Sequence, residues 1–380
     1  MFGGHDILIV GGGVIGLSIA RELNRRGATK ICVVDAGVCG GEASWAAGGM
    51  LSPQAEVDET GSFFDLCSRS RDLYPSFAED LLEETGVDIE LDRAGTLYLA
   101  FAEDDSQKVR ERYARQKAAG LTVELLDAQS VRSAEPFISH DVREALFFAG
   151  DWQVDNRKLC AVLRRYCEAH GIEILENTPV TEVLTEKGKA IGVKAGSETL
   201  TAAEVVIAAG AWTSQIIIGP RAMQVDVEPV LGQMIAFRGE KRLFQRVMYC
   251  REGYIVPRRD GRVLAGSTTE KTGFERKTTE TAADALFSMA SRIAPGLGDL
   301  KIDGHWCGFR PRAADGFPVI GRIEGIGGLF IATAHYRNGI LLAPVTASVA
   351  ADAILTGKHS AEMDVFGPGR FRSLANGAGI

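Results

Sequence analysis

The first thirty-five residues alternate between short apolar runs and one segment with helical spacing. The uninterrupted run DILIV (6–10) predicts a strand that is buried on both faces, as central parallel strands are. LSIARELNRRG (17–27) has the apolar spacing of an amphipathic helix and ends at a glycine. A second run, ICVVD (31–35), predicts the next strand. This order is that of a βαβ unit.

A glycine-rich turn, GGGVIG (11–16), joins the first strand to the helix. In the G-x-G-x-x-G pattern, Gly11 permits the tight turn, Gly13 lets the backbone approach a pyrophosphate, and Gly16 lets helix and strand pack closely. Asp35 follows about 20 residues after the last glycine, where a carboxylate accepts hydrogen bonds from an adenosine ribose. The pattern predicts a bound dinucleotide, and the acid disfavours the 2′-phosphate of NADP.

The segment after the second strand favours FAD over NAD. GVCGGEASWAAGGMLSPQAE (37–56) is rich in Gly, Ala and Ser, which are needed where backbone passes close to a bulky ligand. A flavin needs such a long groove, whereas a nicotinamide cofactor has no obvious use for it. Residues 178–212 predict a strand, a hairpin and a buried strand closing on Gly210. We expect this element to lie over the nucleotide unit with Val180 near the adenine.

Later segments predict antiparallel strands and flanking helices. Runs rich in β-formers surround Asp260-Gly261, a common hairpin-turn pair. Residues 102–120 predict a charged surface helix, and 281–295 an amphipathic helix ended by a proline. The apolar run 340–355 contains Pro344, many small residues and an aspartate. It therefore predicts a buried helix and no membrane span.

Composition narrows the class of protein. A chain of 380 residues exceeds one typical core and indicates two domains, and its 46% hydrophobic and 24% charged residues are ordinary globular values. The net charge of -8 disfavours nucleic-acid binding. Seven cysteines without a C-x-x-C pattern indicate neither a disulfide framework nor a metal site. The first apolar run is too short for a signal peptide, so a cytoplasmic location is expected.

Four segments carry a family resemblance: ASWAAGGML (43–51), GYIVPRRDGRVLAGST (253–268), GFRPRAADGFPVIG (308–321) and HYRNGILLAPVTA (335–347). Together they resemble the FAD-dependent D-amino-acid-oxidase superfamily, and within it the glycine oxidase group associated with making the thiazole of thiamine. The resemblance covers essentially the whole chain. It implies an α/β fold, in which a doubly wound, Rossmann-like FAD-binding domain of the glutathione-reductase type is interleaved with an antiparallel-sheet α+β substrate domain.

The resemblance also implies the domain boundaries and the cofactor contacts. The FAD-binding domain would comprise residues 1–88, 151–224 and 308–380, and the substrate-binding domain residues 89–150 and 225–307. The HYRNGI segment lacks the flavin-linking cysteine of monomeric sarcosine oxidases, so FAD is expected to be non-covalent. The expected cofactor-binding residues are Gly11, Gly13, Val14, Ile15, Gly16, Asp35, Ala36, Ala43, Ser44, Gly48, Gly49, Met50, Val180, Gly210, His335, Tyr336, Arg337, Asn338, Gly339, Ile340 and Leu341.

Arg310 is the predicted anchor for a substrate carboxylate. A guanidinium offers two parallel N–H donors that match a carboxylate, and the arginine of this G-[LF]-R-P motif has that role in the resembling family. The resemblance gives Tyr254 a second hydrogen bond to the same carboxylate and places Arg337 beside the substrate; Met50 is a further candidate. A surface ion pair is the alternative for Arg310, and core positions are the alternatives for Tyr254 and Met50. Arg312 is predicted to be a surface or interdomain arginine.

The segment 335–344 is expected to meet the pyrimidine edge of the flavin. Asn338 is a predicted N-cap, and the following helix would direct its partial positive charge at the ring. His335 is expected to pack at the ring or to hydrogen-bond through its backbone. No general base is predicted, because in this superfamily the α-hydrogen leaves as hydride. Thr269 stands where some glycine oxidases carry methionine, which leaves the amine preference open.

The resemblance implies oxidation of glycine by O2 to glyoxylate, ammonia and hydrogen peroxide through an imine, which would supply thiamine synthesis. Sarcosine and small D-amino acids are expected as further substrates, and a homotetramer as the assembly. One alternative is a dehydrogenase of the same fold that passes electrons to a quinone or partner subunit, as in hydrogen cyanide synthase. Another is a flavoprotein subunit whose FAD only stabilises the fold.

Overall fold

The computed structural model describes residues 4–218 and 225–371, and these ranges contain nineteen strands and ten α-helices. The strands are β1 His5–Val10, β2 Ile31–Val34, β3 Met50–Leu51, β4 Thr96–Ala100, β5 Glu124–Asp127, β6 Glu144–Phe148, β7 Trp152–Gln153, β8 Glu173–Leu175, β9 Val180–Glu186, β10 Lys189–Ala195, β11 Glu198–Ile207, β12 Ile217–Ile218, β13 Val227–Arg238, β14 Val247–Cys250, β15 Gly253–Pro257, β16 Arg262–Gly266, β17 Lys301–Ala313, β18 Val319–Arg322 and β19 Leu329–Thr333. The helices are α1 Val14–Arg25, α2 Ala43–Ala46, α3 Pro53–Glu56, α4 Ser62–Thr85, α5 Glu103–Ala118, α6 Ala128–Ala134, α7 Asn156–Ala169, α8 Glu280–Ile293, α9 Gly339–Thr356 and α10 Ala361–Phe366.

The predicted βαβ unit forms the centre of a parallel sheet. Strand β1 pairs in parallel with β2 on one side and β11 on the other, so that Leu8 lies between Cys32 and Val205. Strands β8 and β19 extend the parallel region at its two sides, and β18 joins β19 in antiparallel orientation. The apolar run 6–10 is therefore central and buried, and the predicted α/β fold is confirmed.

The two faces of this sheet are covered by different layers. Ile7 and Ile9 pack into a core shared with α1, α4, α7 and α9. Leu8 and Val10 face the opposite way, into a core shared with the antiparallel strands β9 and β10. Strand β11 belongs to both layers, because its first half pairs with β10 and its second half with β1.

Helix α9 is the one helix, among those the structure describes, that is long and apolar enough to cross a membrane. It lies instead mostly inside the protein, where it packs against α1 and α4. The predicted buried helix is thus confirmed at 340–355.

A proline inside α9 is accommodated by side chains of α4. Pro344 has no N–H, so the carbonyl oxygen of Ile340 lacks its usual helical donor. The hydroxyl of Tyr74 donates to this oxygen, and the hydroxyl of Ser70 donates to the carbonyl oxygen of Leu341 at 2.6 Å. The first turn of α9 is therefore held in place by α4.

The second large sheet is mostly antiparallel, in the order β17-β13-β16-β15-β14-β4-β6-β5. Its longest pair is β13 with β17, and the hairpin of β15 and β16 turns at Asp260-Gly261 as predicted. Helices α5 and α8, which confirm the two predicted flanking helices, pack against it. The sheet has a continuous apolar core of its own.

The strands of this second sheet lie between Thr96 and Phe148 and between Val227 and Ala313. Strand β17 runs across the predicted domain boundary at residue 308 and stays in the second sheet to its end. The predicted ends at residues 1, 224 and 380 lie outside the described residues. The division into two interleaved domains remains a prediction.

Gly16 is the packing point between α1 and β1, because a β-carbon there would overlap the carbonyl oxygen of Gly11. We expect Gly16→Ala to lower the free energy of unfolding by about 1–3 kcal/mol, the usual cost of an overpacked core, as measured by chemical denaturation. Gly296→Ala is the matched control, since no atom lies within 4 Å of the added carbon. Equal stability of the two variants would contradict this packing role.

Candidate active site

A cavity of about 540 Å³ opens at the carboxyl ends of β1 and β2 and extends to the second sheet. All of the predicted cofactor and substrate residues line it except Gly16 and Leu341. Gly16 packs behind the glycine turn, and Leu341 is buried with its carbonyl oxygen bound by Ser70. Ligand contacts of the lining residues remain a prediction, but the structure brings these distant segments to one space.

One end of the cavity is formed by the glycine turn and the N-terminus of α1. Gly11 has a φ of +107°, and a β-carbon there would overlap the Ala208 carbonyl oxygen, so only glycine fits. Helix α1 has no acidic residue in its first turn, and the backbone N–H of Val14 donates to Ser44 Oγ at 2.9 Å. A positive helix end beside a serine hydroxyl suits a pyrophosphate.

Asp35 fixes the same turn from the end of β2. Its carboxylate accepts N–H bonds from Gly12 at 2.7 Å and from Gly37 at 2.8 Å. Each carboxylate oxygen has a further lone pair, so the group can also accept hydrogen bonds from ribose hydroxyls. Val180 lines the cavity together with Asp35, at the place predicted for the adenosine.

A second helix N-terminus, that of α9, meets the cavity through residues 338–340. Asn338 occupies the N-cap position, as predicted, although its side chain makes no capping hydrogen bond. Its backbone carbonyl instead accepts from the N–H of Leu342 at 2.8 Å. With no acid in the first turn, the partial positive charge of this helix end is not neutralised locally.

His335 precedes this helix and is almost fully buried. Its Nε2 lies 3.0 Å from Thr346 Oγ1, and its backbone carbonyl accepts from the N–H of Asn338 at 2.8 Å. The side-chain bond to Thr346 was not anticipated from the sequence. Burial lowers the pKa of His335 to about 3, so the ring is neutral at physiological pH.

Arg310 reaches the cavity from β17 because the opposite strand carries a glycine. Gly232 on β13 pairs with Gly308, two residues before Arg310, and a β-carbon on Gly232 would overlap the guanidinium. The two terminal nitrogens donate to the Ser267 hydroxyl at 2.7 Å and to the Thr268 carbonyl at 3.1 Å. Both partners are uncharged. Burial lowers the pKa of Arg310 from its high ordinary value, which leaves the group charged.

Tyr254 approaches the same space from β15. Its ring lies against Gly266, the residue before Ser267, and against Gly48 of the 43–51 segment. Within the described ranges its hydroxyl has no hydrogen-bond partner, so it is available to a ligand. Met50 flanks the other side of Gly48, with its terminal carbon 3.3 Å from the position of a β-carbon there.

Glu56 was not singled out from the sequence, although it ends the quoted segment 37–56. Its carboxylate accepts two bonds from Arg337, at 2.6 and 2.8 Å, and a third from the Tyr249 hydroxyl at 2.7 Å. Burial alone would raise the pKa of Glu56, but the charge and hydrogen bonds of Arg337 hold it below its ordinary value. Glu56 is thus ionised and neutralises Arg337.

The cavity therefore contains two arginines in different electrostatic states. Arg337 is paired bidentately with Glu56, whereas Arg310 has only neutral hydrogen-bond partners among the described residues. Arg312 does not line the cavity and is partly exposed in an ion pair with Glu228 at 2.8 Å, in agreement with its prediction. One uncompensated cation, Arg310, is left to bind an anion.

An aromatic wall closes another side of the cavity. Trp212 and Phe309 line it, with ring centroids 6.1 Å apart, and Phe274 packs on both rings. Arg276 lies over Phe309 and forms an ion pair with Glu42. Residues 273–276 lie in a loop without apolar periodicity, so the sequence held no signal for this contact.

The fold and the site define a flavoprotein oxidoreductase with a dinucleotide cleft beside a buried arginine that has only neutral partners. The chain belongs to the FAD dependent oxidoreductase (DAO) family, whose model matches residues 6–353. Its cofactor is accordingly FAD. The two helix N-termini without acidic residues in their first turns and the glycine-lined groove fit such a ligand.

Individual relatives cover most of the chain. Glycine oxidase of Pseudomonas aeruginosa is 33% identical over 93% of this chain and 95% of its own. The bifunctional protein ThiO/ThiG of Synechocystis is 35% identical over 98% of this chain, which spans 55% of that longer protein. Among solved structures, glycine oxidase from Geobacillus kaustophilus superposes with a TM-score of 0.88 at 32% identity, over 96% of this chain and 98% of its own.

Replacing Gly232 tests whether this glycine leaves the space that the Arg310 guanidinium occupies. We expect Gly232→Ala to displace the guanidinium and to weaken acetate binding to the holoenzyme at least tenfold, about 1.4 kcal/mol, as measured from the flavin absorbance change. Gly304→Ala is the control on the neighbouring strand, where the added carbon meets only the Trp306 ring at ordinary distance. Unchanged acetate affinity in a folded Gly232→Ala protein would contradict the assignment.

Replacing Glu56 tests the division of charge between the two arginines. We expect Glu56→Gln to leave Arg337 uncompensated and to raise the affinity for malonate relative to acetate by about tenfold, since a second cation becomes available. Because the pKa of Glu56 is below its ordinary value, Glu56 should stay ionised and the wild-type preference should stay constant between pH 8 and pH 7, a range in which both ligands also keep their charge. Glu228→Gln, which frees Arg312 outside the cavity, should leave the preference unchanged. An unaltered malonate-to-acetate ratio in Glu56→Gln would refute the model.

Proposed function

We propose that this protein is an FAD-dependent glycine oxidase that converts glycine, O2 and water to glyoxylate, ammonia and hydrogen peroxide through an imine. The observation that carries the proposal is Arg310, the uncompensated cation beside Tyr254 in the flavin cavity. A substrate with one carboxylate matches one free cation. The glycine oxidases that resemble this chain over more than nine-tenths of its length support the choice of amine.

The residues of the chain bind and orient the substrate. Arg310 would hold the carboxylate with two parallel donors, and the Tyr254 hydroxyl would donate a further bond to it. With the carboxylate held at this point, the neighbouring carbon would be directed into the part of the cavity proposed for the flavin. Bound FAD supplies the two-electron oxidation. The N-terminus of α9 would favour negative charge at the ring.

The other titratable groups at the cavity are unsuited to remove a proton from carbon. His335 is buried and neutral with its Nε2 beside Thr346, and its low pKa makes it a weak base. Glu56 is held as an ion by Arg337, and Glu42 pairs with Arg276. This arrangement supports loss of the α-hydrogen as hydride, with no general base.

The same relatives support a proposal for the metabolic role of the reaction. We propose that the imine or glyoxylate product serves the thiazole of thiamine, that sarcosine and small D-amino acids are secondary substrates, and that FAD is held non-covalently. We further propose a cytoplasmic homotetramer. The match of 98% of this chain to 55% of a bifunctional ThiO/ThiG protein supports the link to thiamine.

Anaerobic mixing of the purified holoenzyme with glycine tests this proposal. We expect bleaching of the flavin absorbance near 450 nm, and rapid recovery with hydrogen peroxide formation when air is admitted. Arg310→Ala should lower kcat/KM for glycine by at least about 10³-fold through loss of a bidentate charged pair, whereas Arg312→Ala should change it less than twofold.

Two other outcomes would assign the protein differently. Bleaching by glycine followed by slow recovery in air would indicate a dehydrogenase that uses a quinone or partner subunit. Failure of glycine, sarcosine and small D-amino acids to bleach the flavin would refute the oxidase.

A further inference from the structure

Arg258 is a buried arginine that binds only uncharged groups. It follows β15 directly and is 4% exposed. Its terminal nitrogens donate to the carbonyl oxygens of Gly48 and Val154, each at 3.0 Å, and to the side-chain oxygens of Gln153 at 3.2 Å and Asn156 at 2.8 Å. Within residues 4–218 and 225–371, no carboxylate forms an ion pair with it.

Asn156 continues this network toward the cofactor side. It is 1% exposed, its Oδ1 accepts from Arg258, and its Nδ2 donates to the carbonyl oxygens of Ser44 at 2.8 Å and Trp45 at 3.1 Å. Arg258 and Asn156 together therefore hold residues 44, 45 and 48 by their backbone. We call this pair and its hydrogen bonds the Arg258–Asn156 clamp.

The segment held by the clamp lines the cofactor cavity. The Ser44 hydroxyl accepts a hydrogen bond from the backbone N–H of Val14 at the N-terminus of α1, and Gly48 contacts the ring of Tyr254. Gly49 has a φ of +74°, and a β-carbon there would lie 3.2 Å from an Arg258 nitrogen. The guanidinium thus stands directly behind the cavity wall.

A contribution to folding stability does not by itself explain why a buried arginine such as Arg258 has only uncharged partners. Removing a cation from water is costly, and neutral acceptors offset that cost less well than a carboxylate does. The burial lowers the pKa of Arg258 to about 10, yet the group stays charged at neutral pH. What the planar guanidinium provides is fixed geometry, since several rigidly oriented donors join three separate parts of the chain.

We propose that Arg258 and Asn156 are positioning residues that fix segment 44–49 relative to the strand carrying Tyr254. The clamp thereby sets how tightly FAD is held and how its ring faces the substrate side. This inference rests on FAD binding and is independent of which amine is oxidised.

A double-mutant cycle on the holoenzyme tests the clamp. FAD release on serial dilution is followed by the rise in flavin fluorescence for wild type, Arg258→Met, Asn156→Ala and the double variant. We expect each single variant to raise the FAD dissociation constant at least tenfold. Because the residues act as one unit, the double variant should be within about threefold of the weaker-binding single variant.

Two further variants distinguish the hydrogen-bond geometry of Arg258 from its charge, and both from a general loss of stability. Arg258→Lys keeps the charge but cannot reproduce four bonds, so FAD binding should remain at least fivefold weaker than in wild type. Arg259→Met removes the adjacent, more exposed arginine, which pairs with Asp88, and should leave FAD binding within twofold. If Arg258→Met does not fold, Arg258→Lys and Asn156→Ala carry the test.

The positions of the flavin absorbance maxima provide a second readout. They should shift in the clamp variants, since the ring environment changes, and stay unchanged in Arg259→Met. Wild-type FAD affinity and spectra in folded Arg258→Lys and Asn156→Ala proteins, or additive losses in the double variant, would overturn the proposal. Loss of glycine turnover alone would bear on the proposed substrate and not on the clamp.

Discussion

The bidentate pairing of Glu56 with Arg337 determines what the rest of the site can bind. Two guanidinium groups lie at the substrate end of the cavity, and one buried carboxylate neutralises one of them. The remaining cation, Arg310, keeps only neutral partners and a glycine beneath it. In the proposed function, one free positive charge would favour a monocarboxylate, because a second carboxylate would find no partner and would still lose its hydration. Charge balance, set by Glu56, would thus limit the substrate class.

The cofactor end follows a different physical rule. Here the partial positive charge comes from the backbone at the N-termini of α1 and α9. Neither helix has an acidic residue in its first turn. Most side chains between residues 43 and 49 are small, with Trp45 as the exception, so that backbone can form the wall. Such a wall has little side-chain packing of its own, which explains why buried polar groups from other segments are used to hold it.

Much of this could be predicted from the sequence, where local rules apply. The βαβ unit, the hairpin at Asp260-Gly261 and the buried helix 340–355 follow from periodicity and turn chemistry, and the structure has all three. Glu56, Gly232 and Arg258 could not be identified in this way. Their roles depend on pairings between residues far apart in the chain, which no local pattern encodes. Asn338 occupies the predicted N-cap position, but the sequence could not show that its side chain makes no capping hydrogen bond there.

The wide spacing of the cavity-lining segments along the chain has a consequence for how the protein matures. The cavity wall combines the glycine turn near residue 11, the strand of Arg310 and the start of α9 near residue 340. A growing polypeptide therefore cannot enclose the flavin until the residues near 340 have left the ribosome. Cofactor loading must come late in biogenesis, and contacts of such long sequence separation make assembly slow compared with a helical bundle of similar size.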